Sequence, residues 1–160
     1  MQKQVGRVDH VTFIYKKENL DSAIKQLGDA LGITDWEGPV EFKRFGILQA
    51  QSLEAGVELL APTGETGFIA DYLREHGEGF FALILGVDDL DKAVTAARDK
   101  GIEPVLDENG EPLVIDSLAI GANGKPGGHA SWPSKLKTYK EVPFENVAGI
   151  NLYLGEIEPL

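Results

Sequence analysis

The chain has 160 residues, 42% of them apolar and 26% charged, enough for one domain with a substantial core or two small modules that share one. Its net charge of −11 offers no basic patch to phosphates, which argues against nucleic acid and an anionic membrane face as partners. With no cysteine, disulfides, thiol catalysis, Cys-type zinc sites and iron–sulfur clusters are excluded, and with no leading apolar segment or membrane-length apolar run the cytoplasm is the expected location.

Residues 8–15, VDHVTFIY, are rich in β-branched and aromatic types and predict a strand. Alternation puts Val8, His10, Thr12 and Ile14 on one face and Val11, Phe13 and Tyr15 on the other. A helix follows, with Asn19 as its expected N-cap. Leu20, Ala23, Ile24, Leu27 and Leu31 recur at helical spacing, and Gly32 closes it. Val11 and Phe13 are the expected partners of that stripe, which leaves the His10 face for something else. Residues 42–53 and 56–60 predict two further strands joined by the short link Glu54-Ala55-Gly56. Residues 68–76 predict a short helix with Phe68, Ile69, Tyr72 and Leu73 inward. Gly77 stops it, and His76 caps its last turn at the surface, where the helix dipole favours a cation.

From Gly77 the pattern returns. Residues 79–86 read as a strand, Asp89 as an N-cap, Leu90, Ala93, Val94 and Ala97 as a helical stripe, and Gly101 as its end. The helices match at an offset of 70 residues, Leu20 to Leu90, and the strands at 72, which sets Ala82 where the first copy has His10. A second echo pairs AGVELL at 55–60 with AGINLY at 148–153, an offset of 93. The chain therefore reads as two tandem βαβββ modules, residues 1–76 with a connecting helix and residues 77–160, in an α+β fold whose curved mixed sheets form a cavity. The second module is longer, and the extra length falls within 103–147, the expected loop or lid over a site. A homodimer would extend the arrangement.

His10 in mid-strand with Glu58 on the closing strand resembles the vicinal oxygen chelate superfamily, which includes glyoxalase I, extradiol dioxygenases and the bleomycin resistance proteins. Asp9-His10-Val11, the segment GVELLAP at 56–62 and above all IADYLREHGEG at 69–79 are most similar to the methylmalonyl-CoA epimerase pattern. The resemblance implies a metal held by side chains from the first and last strands of each module, at positions that fall here on His10, Glu58, Ala82 and Asn151. A methyl group cannot coordinate and an amide oxygen coordinates weakly, so the resemblance carries over a degraded metal site.

Three readings follow. Without metal, His10 and Glu58 form an acid/base pair that moves protons next to a carbonyl, the chemistry of an isomerase or lyase. Alternatively one divalent metal ion persists on His10 and Glu58, with His129 as a replacement ligand. In the third, the cavity only binds or sequesters a small molecule. The cofactor expectation is thus none or one divalent ion, and the partner a carbonyl-containing small molecule positioned by Asn151, Tyr153, His129 and Gln49. Plainer roles compete: His10 as a satisfied core histidine, Glu58 as a paired buried charge, Asn151 and Tyr153 as sheet-closing hydrogen bonders, Trp132 as a packing anchor. Other motifs fail. GANGKPGG lacks the Ser or Thr that a phosphate loop needs after its Lys, and Asp88, Asp89 and Asp91 fit helix capping.

Overall fold

The computed structural model describes residues 5–120 and 128–160. Apart from Gly128, the GANGKPGG stretch lies outside the described residues. The first module contains β1 (Val5–Ile14), α1 (Leu20–Leu31), β2 (Glu37–Phe42), β3 (Ile47–Ser52) and β4 (Val57–Pro62), and α2 (Phe68–His76) connects it onward. The second contains β5 (Gly79–Val87), α3 (Leu90–Arg98), β6 (Ile115–Asp116), a single turn α4 (Ser117–Ile120), β7 (Leu136–Val147) and β8 (Ile150–Pro159). The predicted α+β duplication is the observed architecture. The strands of both modules join in one eight-stranded sheet, ordered β2-β3-β4-β1-β5-β8-β7-β6.

The join is the antiparallel pair β1–β5, in which His10 faces Ile84, Val11 faces Leu83 and Thr12 faces Ala82. A pseudo-dyad passes between Val11 and Leu83, residues related by the strand offset of 72. The modules therefore pair within one chain, and each first strand also runs parallel to its own last strand.

Alternation decides which face of the sheet each helix covers. Leu20 and Ala23 of α1 pack against Leu59 and Ala61, with Phe13, Tyr15, Ile24 and Leu27 around them. Leu90, Ala93 and Val94 of α3 pack against Val142, Phe144 and Leu154 in the equivalent cluster. Each fully buried apolar side chain of this kind contributes roughly 1.5–3 kcal/mol. The opposite face carries the third cluster, which includes Ile14, Phe42, Leu60, Phe81, Ile84, Trp132 and Tyr139. That inner face is the one on which His10 and Thr12 lie, as the alternation of β1 predicts.

Several local expectations change. Asn19 makes no side-chain cap; its amide Nδ2 donates to Glu78 Oε1 at 2.8 Å, tying the start of α1 to the start of β5. Asp89 does cap α3, accepting from the Lys92 backbone N–H at 3.0 Å. Residues 42–53 are the end of β2, a 3₁₀ turn and β3 rather than one strand. Strand β2 escaped the pattern because Gly38-Pro39 interrupts it, and an edge position tolerates the missing N–H. Phe68 is half exposed rather than inward, while His76 is exposed as expected. The largest correction concerns 103–147. Its second half is not a lid but the twelve-residue strand β7, paired along β8 and buried at Tyr139, Glu141, Val142, Pro143 and Phe144.

Candidate functional site

A cavity of about 330 Å³ lies against the inner face. Its polar floor comes from Thr12, Gln49, Glu58, Glu141 and Asn151, and its walls from aromatic and branched side chains such as Phe42, Phe81, Ile84 and Tyr153. Strand geometry places these groups. Thr12 and Glu58 are cross-strand neighbours on β1 and β4, and Gln49 lies beside β4 on β3, with its side chain on the same face. The Thr12 hydroxyl donates to Glu58 Oε1 at 2.9 Å, and Gln49 Nε2 donates to Glu58 Oε2. Both carboxylate oxygens of the buried Glu58 are thus held.

His10 is 1% exposed and makes no hydrogen bond to Glu58. Its Nδ1 lies 2.9 Å from Asp9 Oδ1, and its Nε2 lies 3.4 Å from both Glu141 Oε1 and the Tyr139 hydroxyl. The Tyr139 hydroxyl in turn meets the Gln51 amide at 3.1 Å. A second cavity, of about 400 Å³, opens on the Asp9 side and takes in Arg7, His10, Gln51 and Lys135. His10 therefore lines the second space, and Glu141, which its Nε2 approaches, lines the first. The expected pairing of His10 with Glu58 is not made: the two imidazole nitrogens meet Asp9, Glu141 and Tyr139, and the Glu58 oxygens meet Thr12 and Gln49.

Burial opposes charge on His10, but the Asp9 hydrogen bond and the Glu141 and Glu58 charges outweigh it and hold the imidazole above its ordinary range. Asp9 is likewise pushed up by burial, and His10 and Arg7 bring it below the ordinary carboxylate range. Burial moves Glu141 strongly the other way, helped by Glu58 and Asp9 and opposed by His10, so its carboxyl keeps a proton far above the pH at which a carboxylic acid normally ionises. Glu141 Oε1 is buried without a hydrogen-bond partner, and so is Asn151 Nδ2 on the cavity wall. Burial also raises Tyr153, with Glu141 and Glu58 adding to it, so its phenol stays neutral.

His129 does not join this group. Its Nε2 donates to Gln49 Oε1 at 3.0 Å, its ring packs 4.7 Å from Trp132 and 5.7 Å from Phe42, and burial lowers it to about 4. It holds Gln49, which holds Glu58, and so acts on the cavity at one remove. Trp132 is fully buried and stacked on Tyr139 at 4.7 Å, a packing anchor.

The donor set for a divalent metal does not assemble. The register sharpens the comparison of modules: Thr12 pairs with Glu58, and Ile84, its equivalent in the second module, pairs with Tyr153. Tyr153, not Asn151, stands in the place of Glu58. The two second-module positions thus hold a methyl and a neutral phenol, and both oxygens of Glu58 are already engaged. Among the described residues no group of three His, Cys, Asp or Glu side chains converges at metal-ligand spacing. Of the residues expected from the sequence, Glu58, Gln49, Asn151 and Tyr153 line the cavity while His10 and His129 do not, and Glu141, which also lines it, carried no expectation. The signal for Glu141 is a carboxylate that opens the apolar run Val142-Pro143-Phe144, in which Pro143 masks the strand pattern.

The family model for the glyoxalase/bleomycin resistance protein/dioxygenase superfamily matches residues 9–113, and the chain belongs to that superfamily. The methylmalonyl-CoA epimerase of Mycobacterium tuberculosis is similar in fold, with a TM-score of 0.67 at 22% identity over 98% of this chain and 91% of that one. A methylmalonyl-CoA epimerase in complex with methylmalonyl-CoA and NH4+ gives 0.67 at 19% identity, covering 95% and 94%. A hypothetical protein of Bacillus halodurans C-125 gives 0.66 at 18% identity, covering 94% and 93%. None of the curated proteins compared matches the sequence. Among the described residues no helix is long and apolar enough to cross a membrane.

Proposed function

We propose that the chain is an isomerase or lyase of small-molecule metabolism that moves a proton at the carbon next to a carbonyl, without a metal ion. The observation that carries this is the pair of carboxyl groups in unlike settings, Glu58 from the first module and Glu141 from the second, facing one largely apolar cavity. An acid that holds its proton, beside a carboxyl group fixed by two donors, is what acid/base chemistry at one carbon requires. Glu58, fixed by Thr12 and Gln49, takes the α-proton and its electron pair passes into the carbonyl. Glu141 keeps its proton and returns it, to the opposite face of the carbon in an isomerase, or to a departing group in a lyase. His10, oriented by Asp9, sits behind Glu141 as a positioning residue. The Asn151 amide on the cavity lining donates to the carbonyl oxygen as negative charge develops there. The epimerase folds among the structural neighbours agree with this chemistry.

The test is solvent deuterium uptake at the α-carbon of a bound ketone. Wild type exchanges the proton. Glu58→Gln and Glu141→Gln lose exchange by at least about a hundredfold while ligand affinity is kept, the range of positioned general bases. A second reading, binding without turnover, is favoured by the inert Ala82 and Tyr153. Affinity without exchange in wild type would establish it and remove the proposal.

A further inference from the structure

Beyond the reaction class, the lining of the same cavity selects a charge type. We propose that its ligand is an apolar carbonyl compound that is uncharged or cationic, and that a ligand carrying a carboxylate or similar anion is turned away. This rests on the reading of that cavity as the ligand site, but on its lining rather than on its chemistry.

Glu58 inside and the exposed Glu145 at the rim bring negative charge to the cavity, beside the protonated Glu141. Among its described lining residues there is no Lys or Arg. A buried anion needs a counter-charge or a full set of donors, and like charge in a poorly screened space is repelled strongly. The donors at hand are neutral. The Thr12 hydroxyl and the Gln49 amide are already committed to Glu58, which leaves the Ser117 and Tyr153 hydroxyls and the Asn151 amide on the lining, with no cation beside them. Neutral donors suit a ketone, aldehyde, amide or ester oxygen, whereas a carboxylate next to Glu58 lacks the counter-charge it requires. Glu141, 8% exposed on the lining and with Oε1 3.4 Å from His10 Nε2, offers a proton to the same ligand. The aromatic wall, with Phe81 and Tyr153 edge to face at 6.3 Å, accepts apolar groups and tolerates a cation over a ring.

Three isosteric probes separate the possibilities: benzylacetone, which is neutral, hydrocinnamate, its carboxylate counterpart, and 4-phenylbutan-2-amine, its cationic one. Calorimetry on the full chain at neutral pH is expected to show the ketone and amine binding at least about tenfold more tightly than the carboxylate, a factor worth 1.4 kcal/mol. Glu145→Gln is expected to narrow that gap severalfold, because it removes a rim charge that repels the carboxylate. Carboxylate binding as tight as the ketone's, or no binding of ketone and amine at millimolar concentration, overturns the proposal. Failure of the proton-transfer reading looks different: the ketone binds and no deuterium enters.

Discussion

Tyr153 faces Ile84 across β5 and β8 just as Glu58 faces Thr12 across β1 and β4, and that single register relation decides how the modules are compared. It yields a residue-scale test. If Ala82 and Tyr153 occupy the lost coordinating positions, Ala82→His with Tyr153→Glu should create a cobalt site with His10 and Glu58. Added cobalt should then raise Tm by at least about 5 °C, the scale expected when a ligand at a hundredfold its Kd adds ~2.7 kcal/mol. The control, Ala82→His with Asn151→Glu, should show no such rise; a larger response in the control would move the register by two residues. His10 and Glu58 were legible because an imidazole and a carboxylate on apolar strands cost free energy unless they face something polar. Their partners were not legible. Asp9 next to His10 looks like a strand-edge charge, and no local pattern says that Glu141 arrives from a strand 131 residues further on.

At the scale of elements, β7 carries the most consequence. As a lid, residues 136–147 would tolerate truncation of an apolar side chain with little loss. As a central part of the second module, Phe144 is 1% exposed and packs with Val94 and Leu154 beneath α3. Phe144→Ala should therefore cost about 3–5 kcal/mol in denaturant unfolding, against less than about 0.5 kcal/mol for an exposed loop. Helices α1 and α3 were legible almost to the residue, since their apolar stripes recur at 3.6 and each ends near a glycine with positive φ, Gly32 at 70° and Gly101 at 78°. Strands β2 and β7 were not, because a proline sits inside each and the usual alternation is broken there. Both prolines lie where the ladder bears the loss, Pro39 on the edge strand and Pro143 opposite Tyr153 with its carbonyl accepting from Val105 at 2.9 Å.

The whole molecule is closed by side chains rather than by strand pairing. The two ends of the sheet curl toward one another, and Gln51 of β3 meets Tyr139 of β7 while Ser131 and Lys135 both reach Glu37 on β2. His129, bonded to Gln49, belongs to this closure. Its pKa is depressed to about 4 from 6.5, chiefly by burial, so the neutral ring is the one the fold accepts. Its contribution is present above pH 6.5 and lost as pH falls toward 4, on the order of 2–3 kcal/mol in all. Glu141 works in the opposite sense, since its raised pKa favours the fold at low pH and the benefit fades as pH rises. Comparing wild type with His129→Gln isolates the first effect: the variant should lack the stability slope between pH 6.5 and 4, measured by denaturant midpoint. An unchanged slope would assign the acid sensitivity elsewhere.

The dyad between Val11 and Leu83 has a consequence for handedness. A cradle with two identical halves would hold a guest equally well in either of two poses related by a half-turn, and a proton delivered there would arrive at both faces. Here one half presents Glu58 at the place where the other presents a phenol, and His10 has no counterpart but a methyl. The two poses are no longer equal in free energy. By letting one half drift from the other, the duplicated chain has turned a symmetric container into one with a front and a back.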